Sequence, residues 1–151
     1  MIIISPYAQK LRNGKINPKN YPYWQELIEL LFKEGYEIVQ IGVEGEDQLV
    51  SDFRKNLSLT ELAELVNQCD TWIGVDSFFQ HFCWDLKKPG IVIWAQSDPT
   101  IFGHTENINI FKDKKYLRKQ QFHIWEQCEY IKEAFPEPNE VIKLIPHLAT
   151  R

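Results

Sequence analysis

Apolar residues follow two rhythms along the chain. Short unbroken runs rich in β-branched residues, "IIIS" (2–5), "YEIVQIG" (36–42), "TWIGV" (71–75) and "IVIWA" (91–95), read as strands covered on both faces. Between them, Trp24, Leu27, Ile28 and Leu31 recur at helical spacing in "YWQELIELLFKE" (23–34), with Gly35 where a helix ends. "NLSLTELAELVNQCD" (56–70) opens with Ser58 and Glu61 in capping-box spacing and carries an apolar stripe of Leu62, Leu65 and Val66. "NINIF" (107–111) reads as an edge strand. "PNEVIKLIPHL" reads as a closing helix with Pro138 in its first turn and Pro146 at its end or kink. This alternation predicts one α/β domain over 1–151, a doubly wound, Rossmann-like parallel sheet with helices on both faces. In such sheets ligands bind beyond the carboxyl ends of strands, where strand order reverses. The loops starting at Ser5, Gly42, Asp76 and Ala95 are the ones to inspect.

Composition narrows the class without naming a function. The chain of 151 residues is 44% hydrophobic and 25% charged, as expected of a folded domain. No apolar run reaches the ~20 residues of a membrane span, and "MIII" stops at Ser5–Pro6 without a preceding basic region, so neither a span nor a signal peptide is expected. Three scattered cysteines (69, 83 and 128) form no disulfide framework or zinc pattern, which suits a reducing cytoplasmic compartment. A net charge of −4 argues against a nucleic-acid partner. The charge is uneven, however. Residues 1–22 hold Lys10, Arg12, Lys15 and Lys19 and no carboxylate, which fits either a solvated loop or an anion site.

The densest chemistry lies in "WIGVDSFFQHFCWDLKKPGIVIW" (72–94). If the strand ends at Val75, Ser77 caps a helix and "SFFQ" (77–80) is a second capping box. Phe78, Phe79, Phe82, Cys83 and Leu86 then make the buried stripe. Asp76 and His81 admit two readings. The first is a carboxylate favoured by the helix dipole with His81 paired to Asp85. The second is an anion site at the helix N-terminus, where His81 donates a hydrogen bond to a phosphate without carrying full charge. The four histidines lack metal-ligand spacing, and no dinucleotide fingerprint, phosphate-binding Walker loop or nucleophile elbow is present. The five tryptophans fall mostly on core positions, with Trp84 exposed near His81. "KDKKYLRK" (112–119) reads as a solvated loop or a partner contact.

The order of these segments resembles the C-terminal, nucleotide-sugar-binding half of glycosyltransferase family 9, the heptosyltransferases of GT-B fold. That family's pattern of strand, Asp-Ser/Thr-Gly-x-x-His, apolar helix, Gly-Lys-Pro, strand and Thr-Asp-Pro is matched by "WIGVDSFFQHFCWDLKKPGIVIWAQSDP", with Asp76, Ser77, His81, Lys88, Pro89, Asp98 and Pro99 in register. "KNYPYWQELIELLFKEGYEIVQIGVEGE" and "EQCEYIKEAFPEPNEVIKLI" are similar to its flanking segments. The resemblance implies that Lys19, Asp76, Ser77 and His81 face the donor's phosphates and sugar. It implies that Glu46 or Glu44 takes the ribose hydroxyls, and that the backbone from Asn56 through Leu57 to Ser58 edges the base. It implies no metal and no cofactor, the nucleotide sugar being the donor substrate.

Two departures stand out. Phe78 replaces the motif glycine that lets backbone approach phosphate, so a ring there could narrow the pocket. The chain also begins at the first strand of the C-terminal half, whereas the family's acceptor site and catalytic base belong to the N-terminal half. Transfer would therefore need an acceptor-domain protein or a homo-oligomer, and no catalytic residue is assigned here. The alternatives are a non-catalytic binder of nucleotides or nucleotide sugars, and a protein-interaction module with a degenerate donor pocket.

Overall fold

The computed structural model describes residues 1–145. Six strands, β1 (Ile2–Ser5), β2 (Ile38–Gly42), β3 (Phe53–Lys55), β4 (Thr71–Val75), β5 (Ile91–Ile93) and β6 (Ile108–Ile110), form one parallel sheet in the order β3-β2-β1-β4-β5-β6. Ile3 pairs with Val39 on one side and with Trp72 on the other. The chain winds outward from β1 through β2 to β3, then returns to the far side of β1 with β4. A crevice therefore opens where the loops leaving β1 and β4 diverge.

Alternate strand residues feed two cores, because successive side chains point to opposite faces. Ile2, Ile4, Ile73 and Ile91 pack with Trp24, Leu27, Ile28 and Leu31 of α1 (Trp24–Lys33) and Val141 of α5 (Pro138–Ile142). Ile3, Val39, Trp72 and Val92 pack with Leu62, Leu65 and Val66 of α2 (Leu59–Gln68), and with Phe79 and Cys83 of α3 (Phe78–Asp85). The capping box of α2 forms in full: Ser58 Oγ accepts from the Glu61 amide, and Glu61 accepts from the Ser58 amide. Gly35 ends α1 at φ +86°, a left-handed position that glycine takes without strain. A short helix, α4 (Pro99–Phe102), follows β5 and is capped by Asp98.

Several expectations need correction. β3 has no counterpart in the sequence reading, because "FRK" is short, polar and on the sheet edge. The strand expected over 91–95 ends at Ile93. Among the described residues the closing helix spans Pro138–Ile142, preceded by 3₁₀ turns at Trp125–Gln127 and Lys132–Ala134. Pro146 and His147 lie outside the described residues. Phe78 is 62% exposed and leaves the buried stripe, resting tilted on Phe82 at 5.7 Å. The second capping box does not form. Ser77 makes no side-chain cap bond, and Gln80 turns instead to Asp76. Trp24, Trp72 and Trp94 are core, while Trp84 is 46% exposed. Among the described residues no helix is long and apolar enough to cross a membrane.

Candidate functional site

A cleft of about 1130 Å³ lies at the switch point and is reached by all four inspected loops: Ser5, Gly42, Asp76 and Ser97 belong to its wall. Lys10, Arg12 and Lys19 from the basic N-terminal segment line it, and Lys15 is not among the lining residues. That segment is tied down along its length. Asn20 Oδ1 accepts from the Ala8 amide, Asn17 Nδ2 donates to the Gln9 carbonyl, and Asn17 Oδ1 accepts from the Lys19 amide. Its far end is held by Asn13 Nδ2 donating to the Glu126 carbonyl, and Lys10 Nζ reaches the Gly45 carbonyl across the cleft. The loop is thus a fixed wall carrying positive charge.

At the end of β4, Asp76 is buried and fully engaged. Gln80 Nε2 donates to its Oδ1 at 2.9 Å, and Lys19 Nζ lies 3.2 Å from its Oδ2. The buried carboxylate therefore holds Lys19 in place, leaving the lysine's other ammonium hydrogens for a ligand. The ammonium also stands 5.0 Å from the centroid of the Trp125 ring, over which the Arg118 guanidinium stacks at 3.3 Å. Arg118 donates to the carbonyls of Gln121 and His123 at 2.9 and 2.7 Å, while its Nε is buried without a partner. Ser77 Oγ and Ser97 Oγ are also buried without partners in the wall of this cleft. Such atoms are costly unless a ligand or water completes them.

The other candidates separate. Glu46 lines the cleft, and its Oε1 accepts from the Val43 amide at 2.8 Å. Burial raises its pKa above the usual carboxylate value, with the Val43 hydrogen bond and Lys10 opposing. Glu44 is not a lining residue and pairs with Lys55 at 3.4 Å. Leu57 lines the cleft beside Asn56, whereas Ser58, outside the lining, is spent on its cap. His81 lines the cleft and does not pair with Asp85, as the first of its two readings had it. Its Nδ1 lies 2.7 Å from Nε2 of His104. Phe78 stands on the wall with most of its ring exposed, so it flanks the cleft without filling it.

The sequence reading missed Arg118, Gln121, Trp125 and His104. Arg118 sits inside "KDKKYLRK", whose charge density looks like a solvated loop. Residues 112–115 are indeed exposed, but Arg118 is half-buried, and its amide donates to the Gln96 carbonyl in the loop after β5. Gln121 Oε1 accepts from the Asp98 amide, and its Nε2 donates to the carbonyls of Gln96 and Arg118.

The architecture is that of a doubly wound parallel sheet with a cation-lined cleft at its switch point. The model of glycosyltransferase family 9 (heptosyltransferase) matches residues 1–131, and the chain belongs to that family. Among solved structures it is similar to a family 9 glycosyltransferase of Veillonella parvula (17% identity, TM-score 0.73, covering 99% of this chain and 46% of that one). It is also similar to E. coli heptosyltransferase WaaC with ADP (18%, 0.66, 97% and 43%). A third similar structure is E. coli ADP-heptose lps heptosyltransferase II (19%, 0.62, 97% and 46%). The chain thus spans less than half the length of these solved proteins. No curated protein matches it.

Proposed function

We propose that the chain is a single Rossmann-like, nucleotide-sugar-binding domain of heptosyltransferase type, the donor-binding half of a glycosyltransferase. An acceptor domain completes it for glycosyl transfer. The observation that carries this reading is the convergence, in one cleft, of Lys19 and Arg118 with the unpartnered hydroxyls of Ser77 and Ser97. Two cations braced on Trp125 offset the charge of a diphosphate, and the hydroxyls beside them donate to its oxygens. Glu46, on the opposite wall, is a carboxylate acceptor for ribose hydroxyls, and the Asn56–Leu57 backbone supplies an edge for the base. WaaC, a relative with the same fold, is a heptosyltransferase solved with ADP. The reaction needs no metal in this reading.

The test is a thermal-shift and calorimetric panel of ADP, UDP, GDP and CMP and their sugars. A ligand specific for the folded form at a hundredfold excess over Kd adds about 2.7 kcal/mol of apparent stability. One nucleotide series is expected to raise Tm in wild type and to lose that effect in Arg118→Lys. No response from wild type to any of them sinks the reading. Binding that persists without transfer under every pairing tried would instead define a non-catalytic binder.

A further inference from the structure

His104 belongs to no motif, yet its ring is held from two sides beside the cleft. Its Nε2 lies 2.7 Å from His81 Nδ1, with the two rings edge to face at 80°. Its ring stacks on Trp84 at 4.7 Å and 11°. Trp84 stands three residues beyond His81 on α3, so both project from one side of that helix and bracket His104 between them. The backbone is fixed as well. The His104 carbonyl accepts from the Asn107 amide and from Asn109 Nδ2. A Cβ at the preceding Gly103 would fall 2.6 Å from the Pro99 carbonyl and 3.0 Å from Trp94, so only glycine allows this approach.

With Nδ1 taken, Nε2 is the nitrogen His81 has left for the cleft. Its proton is governed by its surroundings. Asp76 at the end of β4 and Asp85 on α3 favour the charged ring. Partial burial, His104 and Lys19 oppose it and prevail, so the ring is held below its ordinary value of 6.5 and is neutral at neutral pH. Which nitrogen of a neutral imidazole carries the proton is set by the hydrogen bond the other makes.

We propose that His104 is a positioning residue that donates its Nε2–H to Nδ1 of His81, locking His81 as an uncharged Nε2–H donor that faces the phosphates of the nucleotide sugar. The ligand part of this rests on the donor-site reading above; the tautomer does not. It explains why α3 spends an exposed tryptophan on the site, since Trp84 holds His104 rather than the ligand.

The test has two arms. In the first, histidine-selective ¹⁵N NMR of the full chain without ligand at neutral pH reads the His81 tautomer. Wild type is expected in the single Nε2–H form. His104→Phe is expected to show mixed tautomers and a higher His81 pKa, and His104→Gln, whose amide can still donate to Nδ1, to restore the single form. An Nδ1–H His81 in wild type, or a tautomer unmoved by His104→Phe, overturns the proposal. In the second arm, ADP and inorganic pyrophosphate are titrated at the same pH. His104→Phe is expected to weaken binding about tenfold and His104→Gln less than threefold, the size of one oriented hydrogen bond. Equal affinities in all three proteins overturn the ligand half. If wild type binds neither probe nor any nucleotide of the panel above, the donor-site reading falls, while the first arm still decides the role of His104.

Discussion

Lys19 and Asp76 meet at 3.2 Å, joining the basic N-terminal segment to the end of β4 through a carboxylate that is nearly inaccessible to water. The pair is asymmetric. Asp76 is enclosed and satisfied by Lys19 and Gln80, whereas the lysine side chain is more exposed, at 22% against 8%. A buried pair of this kind adds little net stability, but removing one partner strands the other.

Lys19→Met should therefore destabilise the domain by about 2–4 kcal/mol, because Asp76 is left with Gln80 alone. Adding Asp76→Asn should recover much of that loss, and the coupling in the double-mutant cycle measures the pair. Neither the single nor the double variant should regain nucleoside-diphosphate affinity. Chemical denaturation and calorimetry check the two readouts separately. A double variant that binds as wild type does would remove Lys19 from the site.

Legibility of the sequence followed the range of the forces involved. Elements set by local rules were readable: the full capping box at Ser58 and Glu61, the left-handed stop at Gly35, the apolar strands and the crevice at their ends. The second box failed because Gln80 had a competing local partner four residues earlier in the chain. The buried carboxylate of Asp76 takes the Gln80 side-chain amide that the box would have needed. β3 was invisible because three residues of "FRK" on an edge carry no periodicity. The choice between Glu44 and Glu46 is a matter of turn geometry, which spacing alone leaves open. Arg118, Trp125 and His104 were missed for a related reason. Apart from β6, residues 103–128 have no hydrophobic rhythm, and their places are fixed by bonds to distant loops, such as those of Gln121 to Gln96 and Asp98.

Gly42 explains how Glu46 reaches the cleft. A Cβ at position 42 would sit 2.2 Å from Glu46 Oε1, so the carboxylate occupies the space that a side chain would need. Gly42→Ala should push the flexible carboxylate aside with little cost to the fold. Nucleotide affinity should fall about tenfold or more, the size of hydrogen bonds to a charged acceptor. Glu46→Gln should lose affinity too. At neutral pH it should not lose stability, because the raised pKa means the folded state bears a cost for the ionised form that the amide avoids. Melting curves and ADP titrations of both variants check this, and unchanged affinity in both would take Glu46 out of the ribose role.

Arg118 offers a test of charge against shape. Its guanidinium lies flat on Trp125 and donates to two carbonyls, a geometry that an ammonium cannot copy. Arg118→Lys keeps the charge but should cost about 1–2 kcal/mol of stability through the lost stacking and hydrogen bonds. Trp125→Ala removes the platform shared with Lys19 and should reduce affinity for pyrophosphate in the same direction. If Arg118→Lys binds and melts as wild type does, charge alone suffices and the stacked geometry is incidental.

The histidine pair predicts the acid side of the stability profile. Burial, and then His104, hold His81 below its ordinary pKa of 6.5. In the unfolded chain that constraint is gone, so the unfolded state binds the proton more readily. The contribution is therefore fully present above pH about 6.5 and is lost as pH falls through the depressed folded value. Tm should decline on acidification below that point, and less so in His81→Gln. His104→Phe removes the neighbouring imidazole, so its His81 should titrate nearer the ordinary value. Any acid-induced decline that remains should then be smaller than in wild type. Melting series over pH 5 to 8 distinguish the three proteins; parallel curves for all of them would show that the pair contributes nothing to the acid limb and that other carboxylates govern it.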